Sequence, residues 1–174
     1  MAPNQPWSGA TGCACPELAD FAAIRMGDHE GLDQRVFSSL ENLKDHGDRQ
    51  WWLYAARCAS CNQAWMIAQE ERIHDNYYLK RISAETLTSI LQQDDWPPDF
   101  LRFEDVIRLG PDHEQVCYFM NPSDLNYTVK ELIWDRPDIT SEDIAYLLCL
   151  SRRRAERLLR KARGTGWAWL RPFA

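Results

Sequence analysis

The chain has 174 residues, enough for one domain with its own core, and 45% hydrophobic and 26% charged residues with only eight glycines exclude collagen, elastic linkers and wholesale disorder. No apolar run approaches the roughly 18 to 20 residues that span a bilayer, and residues 1–10 carry neither the basic nor the apolar segment of a signal peptide, so a cytoplasmic protein without membrane contact is expected. The net charge of −6 is unevenly placed: residues 121–174 hold ten Lys/Arg against seven Asp/Glu, net +3, which leaves −9 on residues 1–120. An acidic body repels phosphate and attracts basic proteins, whereas a basic helical end seeks phosphate.

In chain order, residues 1–11, with Pro3, Pro6 and Gly9, read as a flexible leader. Asp20 to Ile24 is a short apolar segment of ambiguous type. Leu32, Val36, Leu40 and Leu43 recur at three- and four-residue steps, which predicts a helix from Asp28 to about Asp45, stopped by His46-Gly47-Asp48. Arg49 to about Ile82 reads as antiparallel sheet, with Tyr77, Tyr78 and Leu79 in a third strand; Trp51 and Trp52 cannot both face inward on one strand. Ser83 caps a helix over Ala84 to Gln93. Asp94-Asp95-Trp96-Pro97-Pro98-Asp99 is a rigid loop, because proline fixes its own φ and restricts the residue before it. A short helix from Phe103 to Leu109 ends at Gly110-Pro111.

The last third is helical throughout. Ser123 caps Asp124 to Trp134, Thr140 with Asp143 forms a near capping box for Ser141 to Leu150, and Ser151 caps Arg152 to Arg163. Trp167 to Leu170 completes a short strand. This part resembles a helix-turn-helix unit with a vestigial wing, in which Arg152, Arg153, Arg157 and Arg160 line the solvent face of the third helix. The expected class is therefore α+β. A small antiparallel sheet with a zinc-knuckle-like hairpin is packed by helices in an acidic body over 12–120, and a three-helix unit follows over 121–174.

Four of the six cysteines form two close pairs, Cys13-Ala-Cys15 and Cys58-Ala-Ser-Cys61. Without a secretion signal, paired cysteines read as metal ligands before disulfides, since cytosolic thiols are kept reduced. The second pair falls between two aromatic-rich, strand-length segments, hence at a hairpin tip, and is followed by Asn62, which tolerates the left-handed conformation a knuckle asks for. Four thiolates make a closed tetrahedral site, structural in kind, for which zinc is the expected metal. His29, His46 or His74 replacing one cysteine, four packed free thiols, and a redox C-x-x-C remain as alternatives. Cys117 and Cys149 lie in apolar surroundings and read as buried, inert thiols.

Catalytic signatures are sparse. H-E-x-x-H, G-x-x-x-x-G-K-[ST] and G-x-S-x-G are absent, and adjacent acids such as Glu70-Glu71, Asp94-Asp95 and Glu142-Asp143 read as solvated, so no enzymatic activity is expected. Cys13-Ala-Cys15-Pro16, the run Trp65-Met66-Ile67-Ala68-Gln69-Glu70-Glu71-Arg72-Ile73-His74-Asp75 behind the second cysteine pair, and the helix-turn-helix end together resemble the small immunity proteins that bacteria encode beside interbacterial toxins of the polymorphic or type VI kind. The resemblance implies a one-to-one inhibitor of a nuclease or nucleic-acid deaminase toxin, with the protein toxin and not nucleic acid as partner. A rigid acidic segment suits that task, with Asp94, Asp95 and Asp99 as fixed charge and Trp96 as anchor. The other reading of the residues is a zinc-stabilised, DNA-binding transcriptional regulator that uses the four arginines.

Overall fold

The computed structural model describes residues 12–46 and 50–164. The expected leader at 1–11 and the expected strand at 167–170 lie outside the described residues. The architecture is α+β: one five-stranded antiparallel sheet in the order β1-β5-β4-β3-β2, with helices on both faces.

The strands are β1 (Phe21–Arg25), β2 (Leu40–His46), β3 (Trp52–Cys58), β4 (Ala64–Glu70) and β5 (Asn76–Ile82). Central β4 is buried along almost its whole length, which its run Ala-Trp-Met-Ile-Ala satisfies by apolarity on both faces. Alternation in β3 sends Trp51, Leu53 and Ala55 to one side and Tyr54, Ala56 and Cys58 to the other. Trp51, just before β3, is buried on the helix side, while Trp52 on the opposite side is 55% exposed.

The expected long helix over 28–45 is replaced by a six-residue helix, α1 (Leu32–Phe37), and by strand β2. Leu40 and Leu43 continue the helical spacing by coincidence. Leu40 packs on the α1 side and Leu43 on the opposite side, with a bulge between Asn42 and Lys44 that shifts the pairing with β3. Pairing with a preformed hairpin outweighs a weak local helix preference.

On the other face lie α2 (Ala84–Gln93), capped by the Ser83 hydroxyl at 3.1 Å from the Thr86 amide, and α3 (Phe103–Asp112). Helix α3 runs through Gly110 and Pro111 instead of ending there. A proline in the last turn costs little, and Gly110 serves contact: a Cβ there would stand 2.2 Å from His74 Cδ2. Then follow α4 (Pro122–Asp135), α5 (Ser141–Leu147), which carries a complete capping box between Thr140 and Asp143, and α6 (Arg152–Gly164). Helix α5 stops three residues before the expected Leu150, because Cys149 takes a left-handed φ of 48° and turns the chain toward α6.

One apolar cluster runs from Trp51 and Met66 on the sheet through Phe103 and Val106 to Leu132, Leu147 and Ala162, so residues on both sides of position 120 share it. Polar ties follow the same path. His74 Nε2, in the β4–β5 loop, sits 2.9 Å from the Leu147 carbonyl, and Arg136 bridges Glu104 of α3 and Asp143 of α5 at 3.0 Å each.

Candidate metal centre

Two chain segments far apart in sequence converge on the cysteine-bearing face. Cys58 closes β3, and the next residues turn back into β4. The Cys58 amide donates to Gln63 O at 2.9 Å, the Asn62 amide donates to Cys58 O at 2.9 Å, and Asn62 adopts φ 62°. This is the knuckle geometry, with asparagine where the left-handed residue is needed. The second segment is a single 3₁₀ turn at Cys15–Glu17, started by Pro16, and it is held from below by β5. Arg81 donates through Nη2 to Cys15 O at 3.1 Å and to Leu18 O at 2.8 Å, while its guanidinium lies 4.6 Å above the Trp65 ring.

The sulfurs of Cys13, Cys15, Cys58 and Cys61 all lie within 4.8 Å of one another. Zinc bound tetrahedrally at about 2.3 Å spaces its sulfurs by about 3.8 Å, so closure by about an ångström makes a coordination sphere. Cys15 and Cys58 are buried, Cys13 is half-buried and Cys61 is exposed. Around them stand groups of the kind that orient thiolate ligands. Trp65 Nε1 donates to Cys15 Sγ at 3.4 Å, and Ser39 Oγ lies 3.5 Å from Cys58 Sγ. The donor set fits a soft divalent ion, and four cysteines can hold one here.

Without a cation the thiols compete. Burial pushes Cys15 up to about 12, with the neighbouring cysteines adding to the rise. Cys13 is raised by Cys61 first and by burial second. Burial also pushes Cys58 upward, but the Ser39 hydroxyl and the amides of Cys61 and Ser60 outweigh it and bring the thiol down to about 6.

The histidines lie elsewhere: His29 is exposed, His46 packs on Trp96 at 5.3 Å between centroids, and His74 is wholly buried on the far side of the sheet against Gly110. Cys117 is half-buried and Cys149 exposed, so the expectation of two buried thiols is corrected: Cys117 lies in the irregular segment after α3, and Cys149 in the left-handed turn after α5.

The acidic loop departs from expectation in one respect that matters. Trp96 is only 6% exposed; its indole Nε1 donates to Asp94 Oδ1 at 2.9 Å and its ring meets His46, so it anchors the loop to its own core and offers nothing to a partner. Asp94 pairs with Lys44 at 2.7 Å and Asp99 pairs with Lys80, while Asp95 points to solvent. On α6, Arg152 is held by Glu142 at 2.8 Å and Glu156 at 3.2 Å, whereas Arg153, Arg157 and Arg160 are exposed and make no ion pair among the described residues.

A polar network escaped the sequence. Glu70 is fully buried, not solvated, and accepts from the amides of Arg72 at 2.8 Å, Ile73 at 2.7 Å and His74 at 2.7 Å, so one carboxylate folds the β4–β5 loop. The only signal was a glutamate at a strand end followed by a polar turn, a pattern shared with any solvated acid.

No family model matches the chain, and searches of curated proteins and of solved structures find no match.

Proposed function

We propose that the protein is an immunity protein, a non-enzymatic inhibitor that binds one copy of an interbacterial toxin acting on nucleic acid, and that zinc on its four cysteines holds the inhibitor in shape. The observation that supports this reading is the pairing of a closed four-thiol centre with a body of net charge −9 over residues 1–120. Four thiolates leave a metal no open position for water, so the centre serves structure, and fixed negative charge is what a nucleic-acid-handling active site accepts. Among the described residues no helix is long and apolar enough to cross a membrane. Mixed with the toxin domain encoded beside its gene, the protein should form a one-to-one complex whose association slows as salt rises. Absence of that complex at micromolar concentrations rules the reading out. Elemental analysis should return about one zinc per chain.

A regulator that binds DNA is the second reading, and exposed Arg153, Arg157 and Arg160 on α6 favour it. It requires duplex affinity that falls steeply with salt, with a log–log slope that shrinks by about one unit for each phosphate contact removed. We expect no shift of duplex even at low salt, because the acidic body opposes it.

A further inference from the structure

We propose that the surface which engages the toxin is the open end of the cysteine-side sheet face, centred on Trp52, and that its occupant is an arginine- or lysine-bearing rim of the toxin's active site. The proposal rests on the inhibitor reading and replaces the loop at 94–99 as the contact.

Among the described residues, helix α1 and the cysteine knuckle cover only part of this face. Phe37 packs on Tyr77 at 4.3 Å, and Trp52 beyond it is 55% exposed. Trp52 and Gln69, directly paired across β3 and β4, form the common wall of two clefts of about 350 and 310 Å³. The first is lined by Phe37, Tyr54 and Asp45; the second turns around the strand end to Glu71 and Asp124. Trp52 is 55% exposed at their junction, while Trp51 beside it is stacked on Phe103 at 5.7 Å within the core. A large apolar ring at the meeting of two clefts is a patch rather than a scattered exposed residue, and partly exposed aromatic patches with a polar rim mark contact surfaces.

Charge selects the occupant. Among the described residues, Asp45, Glu71 and Asp124 line the clefts with Arg72 as the one base. That base is already committed, paired with Glu131 and lying 4.7 Å over the Tyr127 ring. Lys44, whose neighbour Asp45 faces the cleft, reaches the opposite side of the sheet to Ile90 O and Asp94. Asn42 and Gln69 donate side-chain amides to Asp45 and Glu71, but among the described residues none of the three acids has an ion-pair partner, so the patch presents carboxylate charge around an indole, the arrangement that receives a guanidinium over the ring face and ion pairs at its edge. Nucleic acid is repelled by it. A symmetric second copy would set the three acids against themselves, so self-association is disfavoured as well. The loop at 94–99, by contrast, has two of its three acids paired with lysines and its tryptophan buried.

The test uses the full chain and the toxin domain encoded beside its gene, with affinity measured by calorimetry and association followed by stopped flow. Trp52→Ala should weaken binding by about 30-fold or more, the behaviour of a central aromatic anchor, while the exposed position keeps the melting temperature within a few degrees. The surface pair Asp45→Lys with Glu71→Lys, which removes no packing, should slow association several-fold at low salt and little at high salt. Wild-type affinity in both variants overturns the docking surface and leaves the inhibitor reading standing, as does a loss confined to Asp94→Lys with Asp95→Lys. Failure of the unmodified protein to bind overturns both. Sedimentation that shows a dimer abolished by Trp52→Ala assigns the patch to a second copy and also overturns the proposal.

Discussion

The two faces of the sheet are held by different means. On the helix side, among the described residues, 27 buried residues form one cluster fed by five helices, two of them ten residues long and two longer, a quantity of apolar area that stabilises a fold without assistance. On the cysteine side, among the described residues, the buried cluster numbers nine, is covered by one 3₁₀ turn and the six-residue α1, and includes Cys15 and Cys58. Elements this short do not persist by themselves, so the second face needs a cross-link where the first has a core. The four thiols stand where that cross-link belongs, joining residues 13 and 15 to the turn at 58 and 61. One side of the sheet is thus finished by burial, and the other carries four cysteines that could close it by coordination.

Removing the zinc proposed for the four cysteines is the strongest way to break this comparison. Chelation, or Cys58→Ser, should cost several kcal/mol, since structural zinc contributes on the order of 10 kcal/mol to small domains. Hydrogen exchange should show the loss first in Cys13 to Leu18 and α1, with α4 to α6 still protected. A melting curve unchanged by chelator would mean that nine residues suffice and that the thiols are only neighbours.

A core substitution on the other face sharpens the contrast from the opposite direction. Leu132 is wholly buried in α4, and Leu132→Ala should destabilise by about 2–5 kcal/mol while zinc content stays at one per chain. Metal loss in parallel with that melting shift would show the two faces to be one cooperative unit.

The smallest expected effect lies at the junction between the sheet and the last helices. Burial holds the His74 imidazole below its usual 6.5, with Arg25 adding to the fall and the Leu147 carbonyl opposing it. The unfolded chain then takes up a proton that the folded chain refuses. His74 supports stability fully above 6.5, and that support is lost as pH falls from 6.5 toward the lowered folded value. His74→Gln, which keeps a donor for Leu147 O, should flatten this part of the melting temperature against pH. Identical slopes in the two proteins would remove His74 from the account.

Some of this was legible residue by residue. The bounds of α2, its Ser83 cap, the Thr140–Asp143 capping box and the left-handed Asn62 follow from local rules about which side chains satisfy which backbone groups, and the structure keeps them. The four clustered cysteines could be named because metal coordination imposes spacing within each pair. The reading of 28–45 as one helix failed because Leu40 and Leu43 satisfy two periodicities, and only the partner strand decides between them.

The sequence by itself determined the ingredients: an acidic body, a basic tail, two cysteine pairs, and two helices, α2 and α5, whose caps are written within four residues, whereas α4 is capped by Asn121 and not by the expected Ser123. It did so because capping, turn chemistry and ligand spacing act over short stretches of chain. Tertiary structure alone decided that the two cysteine pairs meet, that Glu70 closes a loop from the inside, that Trp96 is consumed by its own core and that Trp52 is not. Burial and long-range pairing are properties of what lies opposite a residue, and a linear pattern of residue types holds no record of its opposite.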